Sequence, residues 1–235
     1  EMTMGDWSSD VCSSDRPTPT LVLASASPRR RELVERLGLE FELMPANIDE
    51  TRHEGETPCE LVARLACGKA HACRETLGTV TQTVILAADT IVWMDDGRVM
   101  GKPTDPRQAR MTLERLSGRT HHVSTGVCIL DLTGNASEGP GAERVFVETT
   151  DVSFRRITSA EIAAYVRGGE PLDKAGSYGI QGLGCLFVKS ICGDYDNIVG
   201  LPIFRVVQEL NGIWSRGKDV TLTEMLLEGG SCNNA

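Results

Sequence analysis

The chain has 235 residues, 40% hydrophobic and 24% charged, enough apolar material for one sizeable core or two small lobes sharing a cleft. A net charge of −9 and 5% aromatic residues argue against a nucleic-acid surface, which needs a clustered basic face. No apolar run approaches the roughly 20 residues that span a bilayer, and no basic start leads into an apolar stretch as in a signal peptide.

Eight cysteines (Cys12, Cys59, Cys67, Cys73, Cys128, Cys185, Cys192, Cys232) include no C-x-x-C pair and sit mostly in apolar segments. They read as reduced thiols of a cytoplasmic protein, since a chain of this length needs no staples. Asn135-Ala136-Ser137 matches a glycosylation acceptor, which means little without a secretory route. Part of the acidity lies at the ends, so a polyanion would be held by a few placed cations and a metal rather than by a global field.

Residues 1–20 are rich in Ser, Asp, Thr and Pro without periodicity, and read as a disordered leader or a cloning artefact outside the fold. A buried strand is predicted at 21–24. Ser27-Pro28 then caps and starts a helix with Leu33 and Leu37 on one face and Gly38 as its stop. A second strand follows at 41–45. Thr57-Pro58-Cys59-Glu60 is a capping box opening a longer helix, with Leu61, Leu65 and Ala72 inward and Gly78 beyond its end. The apolar run 84–88 predicts a strand covered on both faces, continuing through Asp89 to Trp93 and turning at 95–97. Asp105 caps a helix whose core face is Ala109, Leu113 and Leu116. Strands are predicted at 123–130 and 144–154, joined by a Gly-rich loop. Thr158 to Glu161 is a further capping box, with Ile162 and Val166 inward. A Gly-rich segment spans 168–184, strands flank a turn at Gly193-Asp194, and a last helix starts at Pro202 and includes Val207 and Leu210. Residues 215–235 read as a disordered tail, leaving one domain over 21–214. The fold class is α/β with a mixed, twisted sheet and flanking helices.

Four places could carry chemistry. At 24–30 a strand feeds a small-residue turn into a helix start, where orphan N–H groups favour an anion. Arg29 and Arg30 in that first turn either meet a phosphate there or are solvated. Asp89 follows five apolar strand residues, a costly place for a carboxylate unless it is functional, metal-bound or paired with an arginine. Lys69 shares a helix face with Leu65, so it snorkels to the rim or points into a cleft. Lys102, held in a loop by Pro103, is similar. The glycines around 173–182 imply close backbone approach to another chain segment or to a ligand, and Gln181 can both donate to and accept from a base edge. There is no G-x-x-x-x-G-K-[ST] loop, no dinucleotide fingerprint and no G-x-S-x-G elbow. His121 and His122 are adjacent on a strand and cannot chelate one ion.

Taken in order, LASASPRR at 23–30, IDE at 48–50, ARL at 63–65 with Lys69-Ala70, ADT at 88–90, GKP at 101–103, LSG at 116–118, EPLDKAG at 170–176, YGIQG at 178–182 and VGLP at 199–202 resemble the Maf family, the septum-formation-inhibitor-like nucleotide pyrophosphatases. The set covers about 21–212. The resemblance implies two lobes around a deep cleft, an architecture related to inosine triphosphate pyrophosphatases, and a homodimer. It implies hydrolysis between the α- and β-phosphates of a nucleoside triphosphate with Mg2+ or Mn2+. Residue by residue, it makes Asp89 the catalytic acid, as base or metal ligand, and Glu50 a second metal-binding carboxylate. Ser25, Arg30, Lys69 and Lys102 match phosphate-binding positions, and Arg29, Thr90 and Gln181 match the dTTP/UTP subgroup. The 7-methyl-GTP subgroup would carry Trp-Arg in place of Pro28-Arg29 and Gln in place of Thr90. The competing readings are a nucleotide-binding regulator of cell division that barely cleaves, and a house-cleaning enzyme for inosine-type triphosphates. Neither nucleic acid nor membrane is expected as a partner.

Overall fold

The computed structural model describes residues 18–134, 142–216 and 219–228. The acceptor at Asn135, most of the Gly-rich loop before 142, and Cys12 and Cys232 lie outside the described residues. Seven strands form one mixed sheet in the order β2-β1-β3-β5-β6-β7, with β4 pairing β3. These are β1 (Thr20–Leu23), β2 (Phe41–Leu43), β3 (Thr83–Trp93), β4 (Val99–Met100), β5 (Thr120–Asp131), β6 (Ala142–Phe154) and β7 (Val188–Cys192). β1 runs parallel to both β2 and β3, and the remaining pairs are antiparallel. The helices are α1 (Pro28–Glu35), α2 (Pro58–Leu77), α3 (Pro106–Leu116), α4 (Ser159–Arg167), α5 (Tyr195–Val199), α6 (Ile203–Trp214) and α7 (Leu222–Leu227). Among the described residues, no helix is long and apolar enough to cross a membrane.

The alternation of β3 organises the core. Val84, Leu86 and Ala88 point to the face covered by α1 and α6, packing with Leu33, Val206 and Leu210. Ile85 and Ala87 point to the other face, beneath Ala66, Ala70 and Cys73 of α2. Further along, Val92 joins Leu113, Leu116, Ile162 and Val166 under α3 and α4. One face of the sheet therefore carries two apolar clusters in series along the strands, and α2 spans the other. All the capping residues read from the sequence act as such. Thr57 accepts from Glu60 N while the Glu60 carboxylate accepts from Thr57 N at 2.8 Å, and Thr158 with Glu161 repeats the arrangement.

Four expectations need correction. Gly193-Asp194 is not flanked by two strands: β7 precedes it, but Asp194 accepts from Asp196 N at 2.8 Å and so caps α5. Residues 215–235 are not a wholly detached tail, because Thr221 and Glu224 form a capping box on α7 and Leu222 is fully buried beside α6. At the other end, Thr20 already belongs to β1. On α2, Cys73 rather than Ala72 takes the buried position. The six described cysteines are free thiols.

Candidate active site

The sheet is open beside the middle of β3. β1 pairs with β3 only as far as Leu23↔Leu86, and β4 begins only at Val92↔Met100. Between them the edge of β3 has no strand neighbour among the described residues, and Asp89 and Thr90 sit in that gap. Being consecutive on a strand, they face opposite sides of the sheet.

On the α2 side, Asp89 interrupts the apolar face between Ala87 and Ile91 and is 9% exposed. A carboxylate so placed requires a partner, and Lys69 supplies it: Nζ lies 2.6 Å from Asp89 Oδ1 and 2.7 Å from Glu50 Oε1. Lys69 therefore points inward from α2, and two carboxylates converge on one ammonium. Glu50 comes from the loop between β2 and α2, which Arg64 holds by donating to Glu56 Oε1 at 2.6 Å and to Thr51 O at 3.0 Å. The Arg64 hydrogen bonds pull the Glu56 pKa down to about 2, so the tether stays charged far into acid.

Gly126 makes this approach possible. It pairs with Asp89 on β5, and a Cβ there would strike the backbone of Val62 and Ala63 in α2. A side chain at this point would push α2, and Lys69 with it, away from Asp89.

On the other side, Thr90 and Thr125 face each other across β3 and β5, with hydroxyl oxygens 2.9 Å apart, in the seam between the two apolar clusters. Arg30 fills the seam. Its Nη2 donates to Thr90 Oγ1 at 2.8 Å, its Nε to Gly200 O at 2.8 Å and its Nη1 to Ser25 Oγ at 3.3 Å. Burial lowers the Arg30 pKa, with the nearby Asp89 charge acting against that shift. Gly200 turns at φ +132°, which frees its carbonyl for Arg30. Asn197 donates to Val123 O and Thr150 Oγ1, both at 3.0 Å, and fixes the α5 segment on the sheet. The α1 start is capped as expected, with Ser27 Oγ accepting from Arg30 N at 3.4 Å.

Of the residues singled out from the sequence, Glu50, Lys69 and Asp89 form one group and Ser25, Arg30 and Thr90 a second. Arg29 is half-exposed, with Nη1 3.9 Å from Asp173 Oδ2, so it leans toward the Gly-rich segment. Lys102 and Gln181 are exposed and join neither hydrogen-bonded group. The glycines of that segment pack largely on the chain itself: a Cβ at Gly182 or Gly184 would collide with Glu170, Tyr165 or Gly179. The Glu170 carboxylate is the hub, accepting from Tyr165 Oη at 2.8 Å and Leu183 N at 2.9 Å. Thr125, Gly126, Glu170, Asn197 and Gly200 escaped the sequence reading as contributors. Only Gly126, a glycine inside an apolar strand, carried a signal of close approach. A separate hollow of about 720 Å³, lined by Arg31, Glu35, Phe41 and Trp214 among others, contains none of these groups.

Residues 20–213 match the model of the Maf-like protein family. The chain is 50% identical over 200 residues to a dTTP/UTP pyrophosphatase of Moorella thermoacetica, covering 85% of this chain and 96% of that one. It is 44% identical over 189 residues to a dTTP/UTP pyrophosphatase of Bacillus cytotoxicus, covering 80% and 93%. A HAM1 protein from Coxiella burnetii overlaps 59% of this chain and 74% of its own at 20% identity, with a TM-score of 0.40.

Proposed function

The chain belongs to the Maf family, and from that premise we propose that it is a nucleoside triphosphate pyrophosphatase acting on dTTP and UTP. The observation that carries the reading is the convergence of Asp89 and Glu50 on Lys69 at the open edge of β3. In the reaction a water oxygen attacks the α-phosphorus and the bond from that phosphorus to the bridging oxygen breaks. The electron pair leaves with pyrophosphate, and the water proton passes to Asp89. Lys69 holds the Asp89 carboxylate in place and puts positive charge where the phosphates arrive. Arg30, gripped by Gly200 and Thr90, fixes the start of α1 beside the gap, so that its backbone N–H groups face an incoming anion. Arg29 and Lys102 reach the phosphates from the exposed side, and Gln181 meets the base edge.

Asp89 and Glu50 offer the hard oxygen donors that magnesium or manganese takes, and both already gather around one cation, so the donor set fits. When bound, such an ion would supply neutralisation of phosphate charge. We further assign the protein to the cytoplasm, as a homodimer, with sedimentation as the check on the latter.

The test is a panel of nucleoside triphosphates with magnesium, reading pyrophosphate separately from single phosphate. Pyrophosphate from dTTP and UTP is expected, and Asp89→Asn should lose at least about a hundredfold in kcat, the usual scale for a general base. Full turnover in that variant removes Asp89 from the chemistry. Binding without cleavage by the native chain favours a nucleotide sensor, and preference for inosine triphosphate favours the purine reading.

A further inference from the structure

We propose a second metal site, for a thiophilic divalent cation of the zinc class, formed by Cys67, Cys128 and Glu143 behind the Lys69–Asp89 pair. One ligand atom from each of the three lies within 4.8 Å of the others. They come from three different elements: Cys67 from α2, Cys128 from β5 and Glu143 from β6. The sheet register explains the grouping. Glu143 pairs with Leu130, two residues along β5 from Cys128, so both side chains face the same side of the sheet, the side α2 covers.

A tetrahedral zinc with bonds of about 2.0–2.3 Å sets its ligand atoms roughly 3.4–3.8 Å apart, so side-chain adjustment of an ångström or less closes the set. His71 lies four residues beyond Cys67, on the same face of α2, and its Nε2 is 2.8 Å from Glu143 Oε2. It is the imidazole placed to orient that carboxylate, as partners of metal-bound carboxylates do.

The donor set separates this site from the all-oxygen pair Asp89 and Glu50. Two sulfurs with a carboxylate select zinc-like ions over magnesium. Cys128 is fully buried, and the Cys67 hydrogen bond and burial push its thiol up; the same hydrogen bond pulls the Cys67 thiol down on balance, against burial, while the Glu143 charge acts against ionisation of both sulfurs. A divalent cation reverses that sign, and its binding expels the two thiol protons to solvent. Cys67 lies two residues before Lys69, and Cys128 pairs with Ala87, two residues before Asp89. Loading the site would therefore tie α2 to the sheet beside the catalytic pair.

The test uses the full chain, kept reduced by a phosphine, with Co2+ as the probe. Expected are a thiolate-to-cobalt charge-transfer band saturating at one equivalent, release of protons, and displacement of the band by Zn2+. The Asp89→Asn variant should keep the band, which separates this site from the catalytic carboxylates. Cys67→Ser should weaken binding by at least about a hundredfold, beyond the ~10–100-fold typical of groups outside the ligand set. Glu143→Gln, at an exposed position, should weaken it about tenfold or more and serves if Cys67→Ser fails to fold. No band in the reduced chain, or a band whose affinity is unchanged by these substitutions, overturns the proposal and leaves the two thiols as core packing beneath a surface ion pair.

Discussion

Gly126→Ala tests whether the approach of α2 to the sheet sets the catalytic spacing. An added Cβ would lie 2.7 Å from Ala63 N and closer still to the carbonyl of Val62. All these atoms are backbone, so no side-chain rotation relieves the clash. Restoring ordinary contact near 3.4 Å lifts α2 by about 1 Å. Lys69 is two turns along the same helix from Val62 and moves with it, stretching its 2.6 Å contact to Asp89 beyond hydrogen-bond range. Overpacking of this kind costs about 1–3 kcal/mol, and a 1 Å misplacement of a catalytic group costs about a hundredfold in rate. The assay is kcat for pyrophosphate release from dTTP, with urea unfolding alongside. Gly212→Ala is the control: it sits in α6 with no backbone atom close, and should add about 0.5–1 kcal/mol with kcat unchanged. If Gly126→Ala loses stability but keeps its kcat, the spacing of α2 does not govern the chemistry. Should it keep both, the packing argument itself fails.

Thr90→Val removes the hydroxyl that accepts from Arg30 Nη2, leaving a buried guanidinium short of a partner, and should cost about 1–3 kcal/mol in urea unfolding. Leu222→Ala empties a fully buried position and should cost about 2–5 kcal/mol, whereas a detached tail would show no change. His121 donates to or accepts from Tyr178 Oη at 2.9 Å in a buried setting, and burial lowers its pKa to about 4. Its folded value thus lies below the unfolded one near 6.5, so the unfolded chain binds more protons between them. The contribution is fully present above pH 6.5 and is lost as pH falls toward 4, by about 3 kcal/mol. His121→Gln should flatten that part of the stability–pH curve, and an unchanged slope would sink the assignment.

Local rules made most of the fold legible. Capping boxes at Thr57 and Thr158 marked helix starts to the residue, and the run leading into Asp89 marked the central strand. Legibility failed where a local signal had two outcomes. Asp194 follows a strand and a glycine, which fits a hairpin turn as well as a helix cap, and only the docking of Asn197 on β5 and β6 decides for the helix. The α7 capping box was present in the sequence at Thr221 and Glu224. The polar residues that follow make the segment read as a tail, because burial of Leu222 depends on the distant α6. For the site, residue types were readable but pairings were not. Arg30 reads as meeting a phosphate or as solvated, yet its partners Thr90 and Gly200 lie 60 and 170 residues away.

The position of the site follows from strand alternation. Asp89 and Thr90 are neighbours, so their side chains emerge on opposite faces, Asp89 to Lys69 under α2 and Thr90 to Arg30 under α1. In the middle of a continuous sheet, the two groups would be divided by hydrogen-bonded strands and could not serve one ligand. They can do so only where the neighbouring strand stops. β1 ends at Leu23, and its continuation is the turn that carries Ser25 and starts α1, so the missing strand is replaced by a helix N-terminus. On the proposed function the short β1 is thus a requirement of the chemistry: extending it by four residues would pair the free edge of β3 and close the space proposed for the phosphates.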